Sequence, residues 1–324
     1  MNIKYSTSEM GFEGYFPTNY PNLRVLETQL LYLKAYHLPI QKALKNNYEG
    51  DLLYNIGKGG FEKPYILHLY QNHHNVVSEL KQNFKNVYIY QDGEIGWWNQ
   101  VDVKLQIWWF NQLRESDGIL VPNSTDIPFY KGLFPNKKIK VIRSVMTDKG
   151  LDKSKFKLKK NKAIITGPLT PVYNGFSQVL LAHNLGVEGI DVPPMSENSM
   201  PKDSWEMADN LGVNYLKYMS WVDWMYNLNQ YKVGYMLSAA TASGSFALNC
   251  AYLGIPCIGD KRADTQRILF PDLAINVFDN KKALELTLKL KNDLIFYNEV
   301  STKAQIIYDK EFTKEKMLKI LNNE

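Results

Sequence analysis

The feature that most constrains the fold is a regular alternation of short apolar, β-rich runs with longer helical stretches. Each apolar run ends in Gly, Asp, Asn or Pro, as strands do at turns. This order is typical of parallel sheets whose faces are covered by helices, so we predict an α/β fold. The strands are predicted at residues 2–5, 51–56, 87–90, 118–121, 140–145, 163–166, 189–192, 213–218, 233–237, 256–258 and 274–278. Helices are predicted at 23–36, 73–85, 100–114, 175–184, 222–230, 246–253, 281–292 and 294–321.

The alternation is interrupted once, where residues 148–162 are charged and show no apolar periodicity. A chain of 324 residues is long enough for two domains. We therefore predict an N-terminal domain over 1–148, a basic linker over 149–162 and a C-terminal domain over 163–324. Two doubly wound parallel-sheet domains would face each other across a cleft, where such folds bind ligands.

Composition excludes several classes of protein. The hydrophobic content of 45% is ordinary for a globular chain, which argues against a disordered or fibrous protein. We find no membrane-spanning run and no signal peptide, so we expect a cytoplasmic protein. Asn, Lys, Ile and Tyr are plentiful, which is compatible with an AT-rich genome, so we expect the cytoplasm of a bacterium or of a phage-infected host. The two cysteines predict neither a disulfide framework nor a zinc site. The net charge is +5, and the crowded lysines form either a solvated linker or a nucleic-acid footprint: Lys149, Lys153, Lys155, Lys157, Lys159, Lys160 and Lys162.

The most informative segment is 238–260, which reads SAATASGSFALNCAYLGIPCIGD. A strand runs into a loop of small residues, and a helix then begins near Ser245 and ends at Gly254. Small residues at a helix N-terminus let a phosphate approach unpaired backbone N–H groups at the positive end of the helix dipole. Ser243 or Ser245 could also cap the helix. The alternative is that these residues serve only capping and packing.

Here the sequence resembles the GT-B glycosyltransferases, which have two Rossmann-like domains and bind a nucleotide sugar between them. The resemblance rests on 163–176 (AIITGPLTPVYNGF), 213–224 (VNYLKYMSWVDW), 238–258 and 271–279 (PDLAINVFD). It implies that the donor phosphate and ribose contact Gly167, Ser243, Gly244, Ser245, Phe246, Asn249 and Arg262. It also implies that the nucleobase contacts Met219, Ser220 and Trp221. Lys261 and Arg267 are two further candidate cations for the diphosphate. The alternative is that Lys261, Arg262 and Arg267 form a solvated basic turn.

Two departures from the family pattern bear on the mechanism. Many retaining members carry two Glu eight positions apart, and the matching positions here are Thr241 and Asn249. The Arg and Lys that often follow the glycine turn correspond to positions near Pro168 and Asn174, which are uncharged. We therefore expect inversion by direct displacement.

An inverting transfer needs a base for the acceptor hydroxyl. Asp92 follows the predicted strand 87–90, in VYIYQDGEIGWW, and this short segment resembles the catalytic-base region of phage DNA β-glucosyltransferases. Asp92 could instead belong to a turn or bind a metal, and Glu94 could be the base. Glu13, in the loop MGFEGYFP, is a second candidate.

Together these features predict a transferase that uses a UDP-sugar, of the UDP-glucose type, with no obligatory metal or cofactor. The acceptor is either a hydroxymethylated base in phage DNA or a surface glycan. A sugar-nucleotide epimerase and a non-catalytic nucleotide- or DNA-binding module remain as alternatives on the same fold.

Overall fold

The computed structural model describes residues 4–7, 65–68, 76–81, 87–91, 103–141, 143, 151–167, 169, 171–193, 202–217, 219, 221–239, 244–312 and 316. Contacts between Cα atoms divide the chain into two compact units. The described residues up to Arg143 belong to the first unit, and those from Leu151 to Lys316 belong to the second. No helix in the described ranges is both long and apolar enough to span a membrane.

The first unit contains a parallel sheet of five strands arranged in chain order. The strands are β1 (Lys4–Thr7), β2 (Tyr65–His68), β3 (Val87–Tyr90), β4 (Gly118–Val121) and β5 (Lys138–Val141). Among the described residues of this unit, the helices are α1 (Val76–Lys81), α2 (Val103–Glu115) and α3 (Ile127–Leu133). Strand β2 was not predicted from the sequence, and the strand predicted at 51–56 lies outside the described residues.

The core of the first unit forms where α1, α2 and α3 cover the sheet. Ile89 of β3 and Ile119 of β4 are fully buried, together with Leu113 of α2 and Tyr130 of α3. Trp109 is also buried, and its indole N–H donates to Oε1 of Gln91 at 2.8 Å, directly after β3. This tryptophan therefore belongs to the core of the unit.

The second unit contains a six-stranded parallel sheet in the order β11, β10, β9, β6, β7, β8. Its strands are β6 (Lys162–Ile165), β7 (Gly189–Val192), β8 (Asn214–Tyr215), β9 (Val233–Met236), β10 (Cys257–Asp260) and β11 (Ala274–Ile275). Its helices are α4 (Gly175–Leu185), α5 (Lys202–Leu211), α6 (Trp221–Leu228), α7 (Ser245–Tyr252), α8 (Asp264–Leu269), α9 (Asn280–Asn292) and α10 (Leu294–Glu311).

This strand order is that of a doubly wound fold. The chain builds outward from β6 through β7 to β8, and then returns to the other side of β6 with β9, β10 and β11. Every residue of the central strands β9 and β10 is buried, as parallel strands covered on both faces require. The predicted α/β class with two parallel sheets is thus confirmed.

The lysine-rich segment packs against the second unit over its described part, residues 151–162. The backbone N–H of Lys160 donates to the carbonyl of Gln230 at 2.6 Å, and Nδ2 of Asn229 donates to the carbonyl of Lys157 at 2.7 Å. The ring of Phe156 meets Tyr226 edge to face at 5.8 Å. Residues of the segment that we predicted as a linker are therefore attached along one side of the second unit.

Candidate functional site

The second unit has one topological switch point, between the adjacent strands β6 and β9. From there the chain continues in opposite directions across the sheet, so the loops after these two strands separate. Doubly wound folds bind ligands outside the carboxyl ends of the strands at this point. The loop after β6 contains Gly167, and the loop after β9 begins with Leu237, Ser238 and Ala239.

The first of these loops turns tightly at Gly167, whose φ is +73°. A Cβ atom at this position would lie 2.6 Å from the ring of Tyr173. Gly175, the first residue of α4, is equally confined, because its Cβ would lie 2.6 Å from Cα of Leu169. The structure therefore places the predicted Gly167 at the switch point, in a turn that accepts only glycine without rearrangement.

Gln178 connects the two loops across the switch point. This side chain is fully buried on α4; its Nε2 donates to the carbonyl of Tyr173 at 2.8 Å, and its Oε1 accepts from the N–H of Leu237 at 3.0 Å. Both amide ends are thus used to hold loop backbone. Gln178 was not predicted from the sequence. The sequence did carry a signal for it, because Gln178 is a polar residue on the same face of α4 as the buried residues Gly175, Ala182 and Leu185.

The second loop leads to Gly244, which has a φ of +72° and immediately precedes α7. The Thr265 hydroxyl donates to the Gly244 carbonyl at 3.0 Å, so α8 supports this backbone. At the start of α7 the first backbone N–H groups have no partner within the helix. Gly244 and Ser245 therefore lie where the sequence predicted them, at a helix N-terminus beside the switch point. Ser243 lies outside the described residues.

Two buried polar atoms near this helix have no hydrogen-bond partner among the described residues. One is Oγ of Ser238, in the loop after β9, and the other is Nδ2 of Asn249, whose residue is 2% exposed. Asn249 lies one turn after Ser245, and helix side chains lean toward the N-terminus. An unpaired buried polar group costs about 1–3 kcal/mol, so both atoms are suited to meet a polar ligand.

Phe246 was predicted to contact the donor, but its side chain packs in the core. A Cβ atom added to Gly234 of β9 would lie 2.8 Å from Cε1 of Phe246. The ring thus fills the space that the missing side chain of Gly234 leaves over the sheet. The Phe246 ring therefore belongs to the core, and its predicted contact with the donor stays a prediction.

Arg262 lies at the same edge of the sheet, where it supports the loop after β9. Its Nε donates to the carboxylate of Asp260 at 2.6 Å, and its Nη2 donates to the carbonyl of Ala239 at 2.8 Å. Burial raises the pKa of the Asp260 carboxyl above its ordinary value, and the adjacent Arg262 offsets only part of that rise. Arg267, the other arginine considered for the diphosphate, pairs with Asp264 at 2.8 Å.

The remaining predicted residues are described only in part. Met219 is half-buried and lies in the chain between β8 and α6, and Trp221 is the first residue of α6. Ser220, Glu13 and Asp92 lie outside the described residues, although Gln91 is described and extends β3 by hydrogen bonding to Leu120. Within the described ranges, no group of three or more His, Cys, Asp or Glu side chains could hold a metal ion.

Comparison with known proteins gives matches at the level of structure. No family model matches the chain, and no curated protein sequence matches it. An α-glucosyltransferase solved with UDP-glucose and DNA containing an abasic site matches with a TM-score of 0.62 and 11% identity, over 99% of this chain and 98% of that one. Sucrose-phosphate synthase from Thermosynechococcus elongatus matches with a TM-score of 0.65 and 12% identity, over 93% and 77% of the two chains.

A TarM variant from S. aureus, solved with fondaparinux, α-GlcNAc-glycerol and UDP, matches with a TM-score of 0.65 and 12% identity over 85% of this chain. This chain spans 58% of the length of that TarM chain. The matched structures are glycosyltransferases of the GT-B class. At these identities the likeness establishes architecture, and the chain has the GT-B fold.

Proposed function

We propose that this protein is a glycosyltransferase that binds a UDP-sugar at the switch point of the second unit. The observation that carries the proposal is a convergence at one sheet edge. The Gly167 turn, the N-terminus of α7 and the unpaired polar atoms of Ser238 and Asn249 all lie there. Structures of the same fold solved with UDP or UDP-glucose support this assignment.

In this proposal each feature has a distinct role toward the donor. The N–H groups at the start of α7 bind the diphosphate, and Ser245 adds a hydroxyl. The amide of Asn249 bonds a ribose hydroxyl, and Met219, Ser220 and Trp221 line the nucleobase. A glucose-type sugar is the default. Asp92, or alternatively Glu13, removes the proton from the acceptor hydroxyl.

Donor binding is tested by a thermal-shift panel of UDP, GDP, ADP, CMP and their sugars, with and without Mg²⁺. A ligand that binds only the native state raises the melting temperature by mass action. We expect the largest shift with UDP or a UDP-sugar, and we expect Ser245→Arg to abolish that shift by blocking the helix N-terminus. If no nucleotide shifts the transition, or if Ser245→Arg binds normally, the donor site is wrongly assigned.

The stereochemistry of transfer has two supported outcomes. The uncharged residues at Thr241 and Asn249 favour inversion, which would give a β-linked product from an α-linked UDP-sugar. The match to an α-glucosyltransferase solved with UDP-glucose favours retention, because an α-linked product keeps the donor configuration. The anomeric coupling of the product, measured by proton NMR, decides between them. Loss of transfer with retained UDP binding in Asp92→Asn would support the base that inversion requires.

The acceptor is proposed as one of two classes of hydroxyl. Hydroxymethylated DNA bases are favoured by the match to the DNA-bound α-glucosyltransferase, which covers nearly the whole of both chains. A glycan is favoured by the match to TarM solved with a GlcNAc-glycerol. Incubation with radiolabelled UDP-glucose and each acceptor separates the two. If UDP-glucose is hydrolysed by water but glucose is transferred to neither acceptor, the natural acceptor is a different molecule. If UDP-glucose binds and no UDP is released, a binding module is favoured.

A further inference from the structure

The edge of the second sheet opposite the proposed donor site carries an unusual combination of side chains. At this edge the strands begin, and the lysine-rich segment leads into β6. Leu158 is 92% exposed, and Leu294 and Ile295 at the start of α10 are 71% and 73% exposed. We call these three residues and the neighbouring lysines the amino-edge surface.

Hydrogen bonds hold the parts of this surface together. The Lys159 ammonium donates to the carbonyl of Gly254, where α7 ends, and lies 3.4 Å from the Tyr297 hydroxyl on α10. The Tyr297 hydroxyl donates in turn to the carbonyl of Lys232, which precedes β9. Leu158 adjoins Lys159 in the chain, and Leu294 lies one helical turn before Tyr297. The exposed aliphatic side chains are therefore carried by segments that are fixed to one another.

Lysines outnumber acidic residues in the segments that form this edge. Within residues 155–162, 186–189, 230–232 and 289–299 the acidic residues are Glu188, Asp293 and Glu299, and Asp293 accepts from the N–H of Phe296 as the cap of α10. The same segments contain eight lysines: Lys155, Lys157, Lys159, Lys160, Lys162, Lys232, Lys289 and Lys291. One of them, Lys162, pairs with Asp191 at 3.3 Å.

Some of these lysines have structural roles, and others do not. Lys159 and Lys291 donate to carbonyls at the ends of α7 and α4, where positive charge is favourable. Lys155, Lys157 and Lys160 are exposed and have no ion pair among the described residues. Their charges are therefore available to a partner.

We propose that the amino-edge surface docks on an anionic phospholipid bilayer. Lysines near a surface of anionic lipids are attracted to the headgroups, and exposed aliphatic side chains enter the boundary between headgroups and acyl chains. A DNA backbone would be attracted by the lysines alone and would leave Leu158, Leu294 and Ile295 in water. Duplex bound here would also lie at the opposite sheet edge from the donor site. Bilayer docking leaves that donor edge uncovered.

The choice of a bilayer over DNA rests in part on the proposed donor site, but docking itself is measured without sugar transfer, by sedimentation of the full chain with vesicles. One set contains phosphatidylcholine, and the other contains roughly one third phosphatidylglycerol to provide negative surface charge. We expect binding to the anionic vesicles that weakens at high salt. Equal binding to both sets, or binding to neither, would overturn the proposal.

Variants separate the two contributions to binding. The triple change Lys155→Gln, Lys157→Gln and Lys160→Gln should weaken vesicle affinity by roughly 100-fold, about fivefold for each lysine. Leu158→Ser should weaken it by about tenfold through the loss of aliphatic insertion. The control changes Phe278→Ser and Lys282→Gln, also at exposed positions, should leave the affinity unchanged.

A different result would assign the surface to nucleic acid. If the triple variant loses duplex DNA binding while Leu158→Ser leaves vesicle binding intact, the surface binds polyanions through charge alone and the bilayer proposal is wrong. Because the Leu158 side chain is exposed, this substitution should not alter the fold, and circular dichroism of each variant verifies that.

Discussion

Replacing Gly244 with alanine tests whether the loop before α7 is built as the structure shows. Two separate costs are expected. The φ of +72° places a residue with a side chain in the left-handed region, which costs about 1–2 kcal/mol. The new Cβ atom would also lie 1.7 Å from Oγ1 of Thr265, so the buried threonine must move and lose its 3.0 Å bond to the Gly244 carbonyl. Overpacking and a lost hydrogen bond together add about 2–4 kcal/mol.

Gly212 provides a matched control within the same unit. Its φ is +65°, close to that of Gly244, but no heavy atom lies within 4 Å of its added Cβ. Gly212→Ala therefore carries the conformational cost without the steric cost. Both changes restrict the unfolded chain equally. We expect Gly244→Ala to melt lower than Gly212→Ala by on the order of 10 °C, since each kcal/mol shifts a domain of this size by about 2–4 °C.

A double variant identifies the cause of the difference. Thr265→Ala removes the atom that the new Cβ would meet. The loss of unfolding free energy caused by Thr265→Ala should therefore be smaller in the Gly244→Ala background than in the wild type, by about 1–3 kcal/mol. Urea unfolding of the four proteins measures this coupling, and UDP affinity measured on the same set reports on the donor site. If Gly244→Ala is no worse than Gly212→Ala, or if the two changes are additive, the Gly244–Thr265 contact does not shape the loop.

Three further results are expected. Gln178→Leu should destabilise the protein by about 2–4 kcal/mol in urea unfolding, because the Tyr173 carbonyl and the Leu237 N–H lose their buried partner. If Gln178→Leu costs no more stability than Gln230→Leu, a change at a half-buried position, Gln178 does not hold the two loops together. Burial lowers the pKa of Lys159 to about 8, below that of a lysine in the unfolded chain, so the folded state binds this proton less tightly. The stability of the wild type relative to Lys159→Met should therefore rise as the pH increases from about 8 toward 10, and a difference that is flat with pH would contradict the shift. Arg262→Met should weaken UDP binding by loosening Ser238 and Ala239, whereas Lys261→Met, at an exposed neighbour, should not; equal losses in isothermal titration would indicate that both side chains act through charge.

The sequence predicts the bounds of those strands that depend on residues close together in the chain. Strands β3, β4 and β7 have the predicted bounds, because each is an apolar run bounded by turn or helix signals. Strand β2, Tyr65–His68, was missed because it is only four residues long and lies among aromatic and polar residues without clear alternation. Its pairing with β1 and β3 comes from residues far away in the chain.

The same division holds for the candidate site. Gly244 and Ser245 could be predicted because a loop of small residues before a helix is visible in one stretch of sequence. The role of Gln178 arises only when β6 and β9 become neighbours, which brings Tyr173 and Leu237 to the two ends of one amide. A glutamine in a helix has no local pattern that specifies such a pair of partners.

The sequence identified Arg262 as a candidate contact of the diphosphate, and the fold gives its side chain partners that the sequence did not indicate. Its position after β10 brings the cation to the predicted edge, but Asp260, two residues earlier, offsets its charge and the loop carbonyls take its N–H groups. A diphosphate at the start of α7 would then rely chiefly on backbone N–H groups, whose geometry depends on Gly244 and on the two side chains that hold the loops. Such dipoles are screened less by salt than exposed cations are, because they lie at contact distance from the ligand. The affinity for UDP should consequently depend only weakly on ionic strength, while vesicle binding at the opposite edge should depend on it strongly, so one salt titration distinguishes the two edges of the second unit.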